Sequence, residues 1–176
     1  MLKEHRLKLL HALNECNIHL KRLAFAREMI RPLIPLKPET YEKIEEDNIS
    51  YIDQLIYRFT KLQDTMGDSL FPSILKSLEE DPEQMSMLDI LNRLEKLNIL
   101  TSAEEWIRLR NLRNEFTHEY EDNMEENSKL VNSLFNEVNT IYTMFVKIKH
   151  YILKNIFPYI PAEELNNFDF KTPEIN

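Results

Sequence analysis

Six residues within a short stretch carry groups suited to phosphate chemistry: Arg110, Arg113, Asn114, Thr117, His118 and Tyr120. Arginine offers a planar fork of donors that matches a phosphate. Histidine titrates near neutrality and can take or give a proton. Cleaving RNA without a metal needs three events. The 2′-hydroxyl must lose a proton, the phosphorane-like transition state must be stabilised, and the leaving 5′-oxygen must gain a proton. His118 suits a proton step, and Arg113, with Arg110 as a phosphate-binding neighbour, suits charge stabilisation. Asn114 suits an orienting role.

These residues need a helix to bring them together. Thr101-Ser102-Ala103-Glu104-Glu105 is a helix start, a hydroxyl N-cap followed by acids in the first turn. The helix is expected to run to about Tyr120. At about 100° per residue, Arg110, Arg113, Asn114, Thr117 and His118 then share one polar stripe. Leu109, Leu112 and Phe116 share an adjoining apolar stripe that can pack on a core. Asn114 and His118, four apart, would touch.

The other elements follow from apolar spacing. Residues 3–31 read as one long helix, with Leu9, Leu13, Ile18, Leu20, Leu23 and Ile30 inward, ended by Pro32 and Pro35. Pro38 opens a second helix to about Met66, which Gly67 is expected to stop. Short helices follow over 69–80 and 86–97, the latter with Leu88, Leu91 and Leu94 inward. A last long helix is expected over 124–156. The fold class is therefore all-α, a helical bundle with two long helices and a short motif helix. Residues 1–157 read as one helical domain and 158–176 as an irregular C-terminal tail.

Composition narrows the function. One glycine in 176 residues argues against a β-rich fold and excludes a Gly-rich phosphate loop. Cys16 has no second cysteine to pair with and sits among leucines, as a buried structural thiol would. His5, His11, His19 and His150 show no metal-ligand spacing shared with acids, so no metal and no cofactor is expected. The first thirteen residues contain no apolar h-region and no stretch is long and apolar enough to span a membrane, so a cytoplasmic location is expected. The net charge of −8 disfavours coating a nucleic acid by electrostatics alone. Any RNA contact must be local.

The spacing Arg113-x4-His118 resembles the signature of the HEPN family, and Arg113-Asn114-x3-His118-x-Tyr120 resembles its fuller form in HepT-like toxins. The approach Trp106-Ile107-x-Leu109-Arg110 and the upstream stretch Tyr57-Arg58-Phe59-Thr60-Lys61-Leu62-Gln63-Asp64 are similar to that group as well. A second Arg-x4-His match, Arg6 to His11, has leucines at positions 7 and 13 where asparagine and tyrosine should stand. The resemblance implies a HEPN-like fold and a homodimer in which two motif helices line one cleft. It implies a metal-independent endoribonuclease toxin with Arg113, Asn114 and His118 at the catalytic site. It also implies a minimal nucleotidyltransferase as antitoxin, adding AMP to Tyr120.

Other readings of the same residues stand beside this one. A protein of this type can be a non-catalytic substrate-binding or accessory subunit of the nucleotidyltransferase, or a structural dimer. Taken alone, His118 reads as a histidine settled by the dipole at a helix C-terminus. Tyr120 reads equally as a packing residue at the helix end. Trp106 reads as a core or interface residue rather than a stacking platform for a base.

Overall fold

The computed structural model describes residues 2–116, 123–166 and 168–174. Among these the chain is helical throughout, with no strand. The elements are α1 (Leu2–Ile30), α2 (Pro38–Tyr41), α3 (Glu46–Thr65), α4 (Phe71–Ser77), α5 (Met87–Lys96), α6 (Ala103–Glu115), α7 (Met124–Asn155) and α8 (Ala162–Leu165). Single 3₁₀ turns follow α1, α4 and α7, and a π turn over Met66–Leu70 joins α3 to α4. Helix α1 packs against α3, α4 and α7, and α6 lies on α3, α5 and α7. Their buried faces merge into one core.

Helix α1 buries Leu9, Leu13, Cys16, Leu20, Leu23 and Ile30 at helical spacing. Ile18, expected inward, is 41% exposed. It stands about 140° round the helix from Leu13, off the buried stripe. The same reason corrects Leu88 on α5, which is 53% exposed. It lies about 120° from Leu94, and Ile90 takes the inward place. Cys16 is fully buried, and desolvation raises its thiol pKa well above the ordinary value.

The expected single helix from Pro38 to Met66 is two. Pro38–Tyr41 makes one turn against α7, whereas α3 runs along α1. One straight rod cannot serve both neighbours. The acids Glu46 and Asp47 then fall in the first turn of α3, where the helix dipole favours them.

Gly67 does not stop a helix. It is buried inside the π turn, and the helical path continues through it to Ser77. A Cβ built on Gly67 would lie 3.4 Å from Cζ2 of Trp106 and 3.5 Å from Cε of Met87. Both are at the close end of ordinary van der Waals contact, so Gly67 packs directly against the Trp106 ring and the Met87 side chain. Trp106 is 2% exposed and meets Phe71 edge-on, ring centres 4.7 Å apart. Trp106 is thus a core residue, as its sequence context indicates.

Residues beyond α7 are docked on the bundle. Asn17 donates from Nδ2 to the carbonyls of Asp169 (3.2 Å) and Lys171 (2.7 Å), and Lys21 pairs with Asp169 at 2.8 Å. The buried Lys149 donates to the carbonyl of Phe170 and to the Thr172 hydroxyl. Three consecutive backbone carbonyls, of Asp169, Phe170 and Lys171, are thus satisfied by side chains of α1 and α7. Trp106→Ala is expected to cost about 3–5 kcal/mol, the usual range for emptying an aromatic core position. Urea denaturation of parent and variant measures it.

Candidate functional site

Helix α6 is aimed from its first residue. Helix α5 ends at Lys96, and Asn98 beyond it, with a φ of 57°, turns the chain back so that the N–H of Ile99 reaches the Leu94 carbonyl at 2.9 Å. Glu95 on α5 then accepts from the backbone N–H of Ala103 at 2.7 Å. Ser102 caps α6, its hydroxyl accepting from the N–H of Glu105 at 3.1 Å. Ala103, Trp106 and Leu109 are buried, and Leu112 and Phe116 pack on the core edge. The apolar stripe is the expected one.

Two arginines tie α6 to its neighbours on opposite sides. Arg108 grips Glu137 of α7 with both terminal nitrogens, the second at 2.9 Å, and this pairing holds the Glu137 carboxyl below its ordinary pKa. Arg113 reaches Asp64, in the last turn of α3, with Nη2. Its Nη1 donates to Oδ1 of the adjacent Asn114 at 3.0 Å. The Arg113 side chain keeps 25% of its surface exposed and Asp64 keeps 31%. Arg110 and Asn114 are exposed on the same helix. The guanidinium of Arg113 is thus held by two oxygens at the surface, beside a second cation. That arrangement can meet a phosphate oxygen without first ordering the side chain.

Three of the expected site residues, Arg110, Arg113 and Asn114, share one end of α6. Thr117, His118 and Tyr120 lie outside the described residues. The helix expected to reach Tyr120 ends at Glu115, with Phe116 as its cap and a short-range hydrogen bond of 3.2 Å from the Phe116 N–H to the Arg113 carbonyl. The decoy pair is occupied elsewhere: Arg6 pairs with Glu164 at 3.4 Å and His11 meets Phe168 edge-on.

No family model matches the chain, and neither the curated proteins nor the solved structures compared with it include a match. The site therefore stands on its own geometry.

Among the described residues no group of three or more His, Cys, Asp or Glu side chains could hold a metal ion. No helix among them is long and apolar enough to cross a membrane. Asp64 is the site residue that sequence reasoning did not single out. Its signal was the one acid in the stretch from Tyr57 to Asp64, but its partner is 49 positions away. Arg108 was passed over for the same reason, its acceptor lying 29 positions on.

His19 was set aside as scattered, and it is the brace behind α3. Its Nδ1 accepts from Nη1 of Arg58 at 3.1 Å, since arginine can only donate, and its Nε2 faces Glu15 at 3.5 Å. Burial lowers the His19 pKa, Glu15 partly restores it, and Arg58 and Arg22 lower it further. A depressed folded pKa favours the neutral ring. Its contribution to stability is complete above the ordinary histidine pKa of about 6.5 and is lost as pH falls through the folded value. The melting temperature is expected to drop on acidification below about pH 6.5, and His19→Gln should flatten that slope. An unchanged slope in the variant would refute the assignment to His19.

Proposed function

We propose that this protein is a metal-independent endoribonuclease of HEPN type, acting as the toxin of a toxin–antitoxin pair. The observation that carries the reading is the Asp64–Arg113 ion pair. The two stretches whose residues resemble HepT-like toxins, Tyr57–Asp64 and Trp106–Tyr120, are far apart in sequence, and this pair joins them. A chance match to a short signature gives no reason for the two stretches to meet.

In this reading Arg113 stabilises the charge that develops on the transferring phosphoryl group. Asp64 and Asn114 orient its guanidinium, and Arg110 holds a phosphate oxygen. His118 moves the proton between the 2′-hydroxyl and the departing 5′-oxygen, so that the product carries a 2′,3′-cyclic phosphate. Asp64 offsets much of the Arg113 charge within one subunit. A homodimer in which two α6 helices face each other restores a positive cleft by adding a second Arg110 and Arg113. Ile107, apolar and 38% exposed on α6, is suited to such a contact. The partner that controls the site is a minimal nucleotidyltransferase, with Tyr120 as the acceptor of AMP. Phosphate placed there would pair with the arginines and occupy the substrate's place.

The purified protein should cleave single-stranded RNA in EDTA and leave cyclic or 3′-phosphate ends. Arg113→Ala and His118→Ala should each lose about 100-fold or more, Asn114→Ala less, and His11→Ala nothing. Equal cleavage by all four variants would remove the site from this reading.

The controlling step has its own test. Co-expression with a cognate nucleotidyltransferase should add whole AMP units to the protein and silence it. Tyr120→Phe should escape both effects. Intact mass and growth assays read the two outcomes, and an adduct mapped to Tyr142 or Tyr151 would overturn the role of Tyr120.

A further inference from the structure

The exposed side of α3 carries an aromatic ring between two cations, in line with the candidate site. Tyr57, Lys61 and Asp64 stand at i, i+4 and i+7, so they share one stripe of the helix. The stripe ends on the Asp64–Arg113 pair. At about 1.5 Å of rise per residue, Tyr57 lies about 10 Å along the helix from Asp64. That is a nucleotide or two from the group that Arg113 would hold.

Tyr57 is 52% exposed, unusual for a ring beside a well-packed core. The guanidinium carbon of Arg58 lies over the ring, 5.0 Å from its centre, and the Lys61 ammonium lies over it at 5.9 Å, the place a stacking base would take from the lysine. Arg58 is held from behind by His19 of α1, so this cation is fixed. Lys61 has no such brace in the described contacts and can swing to a phosphate. Asp53, one turn before Tyr57, bounds the patch: it lies near enough to Tyr41 to add to the rise that burial gives that phenol's pKa. The stretch between Asp53 and Asp64 holds Arg58 and Lys61 and no acid. On a chain of net charge −8, this is a local positive strip with an aromatic ring at its start. Such a pairing of backbone cations with an aromatic platform is how proteins hold single strands.

We propose that Tyr57 and Lys61 form a subsite for single-stranded RNA, in which the Tyr57 ring stacks on a base and Lys61 takes the neighbouring phosphate. This deepens the ribonuclease reading and rests on it. The subsite sets where the strand lies relative to Arg113, and so which phosphodiester is cut. Stacking reads no hydrogen-bond pattern, so the subsite tolerates any base and excludes a duplex, whose bases are not free to stack on a side chain.

The test uses a fluorescent 2′-O-methyl oligonucleotide, which binds without being cleaved, and anisotropy with the intact protein. Tyr57→Ala should weaken binding about tenfold or more, and Tyr57→Phe should bind like the parent. Lys61→Ala should weaken binding and reduce the salt dependence by about one phosphate contact. Tyr159→Ala is the control, an 80% exposed tyrosine in a groove with His5 and Lys76, away from the α3 stripe, and should change nothing. None of the three positions is buried, and melting temperature verifies the fold. If Tyr57→Ala and Lys61→Ala bind like the parent while Arg113→Ala binds more weakly, the subsite is wrong and the ribonuclease reading stands. If the parent binds no RNA and cleaves none, both fall. An equal loss in Tyr159→Ala, or a loss of self-association with RNA affinity unchanged, would also overturn the subsite, the latter assigning the patch to a protein contact.

Discussion

The seat of Trp106 against Gly67 is the constraint on which the arrangement of α6 depends. Helix α6 buries few side chains, Ala103, Trp106 and Leu109, and by size most of its packing energy must come from the indole. The ring packs on the π turn at Gly67 and meets Phe71 edge-on. π turns insert an extra residue into a helix and are found where a helix must be re-aimed. Here the turn begins two residues after Asp64, so the element that receives Trp106 and the element that holds Arg113 are parts of one continuous helical path.

Packing comes before electrostatics in this site. The Arg108–Glu137 and Arg113–Asp64 pairs are partly exposed, and pairs of that kind add little stability by themselves. They cannot be what brings α6 to α3 and α7. Once the indole is seated, however, both arginines fall within reach of an acid, and each pair fixes the rotation of α6 about its own axis. Arg113 then presents its guanidinium at the surface in one orientation. The electrostatic cost is that Asp64 offsets its charge, which matters on a protein that is already acidic.

The same logic extends along α3. Its inner face, Ile52, Leu55, Phe59 and Leu62, packs on the core, and this leaves Tyr57 and Lys61 on the outside by geometry alone. Arg58, the other cation beside Tyr57, is engaged by His19 of α1, and that polar contact ties α1 to α3. A neutral His19 is required for that contact, because a protonated ring has no lone pair to accept from arginine.

Apolar periodicity and the lack of glycine were enough to establish an all-helical chain, the long helices α1 and α7, the Ser102 start of α6 and the inward side of each long helix, because these depend on local spacing and composition. The spacing of Arg110, Arg113 and Asn114 also placed them on one side of one helix without any structure. Three things needed the tertiary fold. The break at Tyr41 depends on two different packing neighbours, the close packing at Gly67 on a tryptophan 39 positions away, and the pairing of Arg113 on Asp64, 49 positions upstream. Each is a relation between elements, and a pattern of neighbours along the chain does not encode which elements will touch.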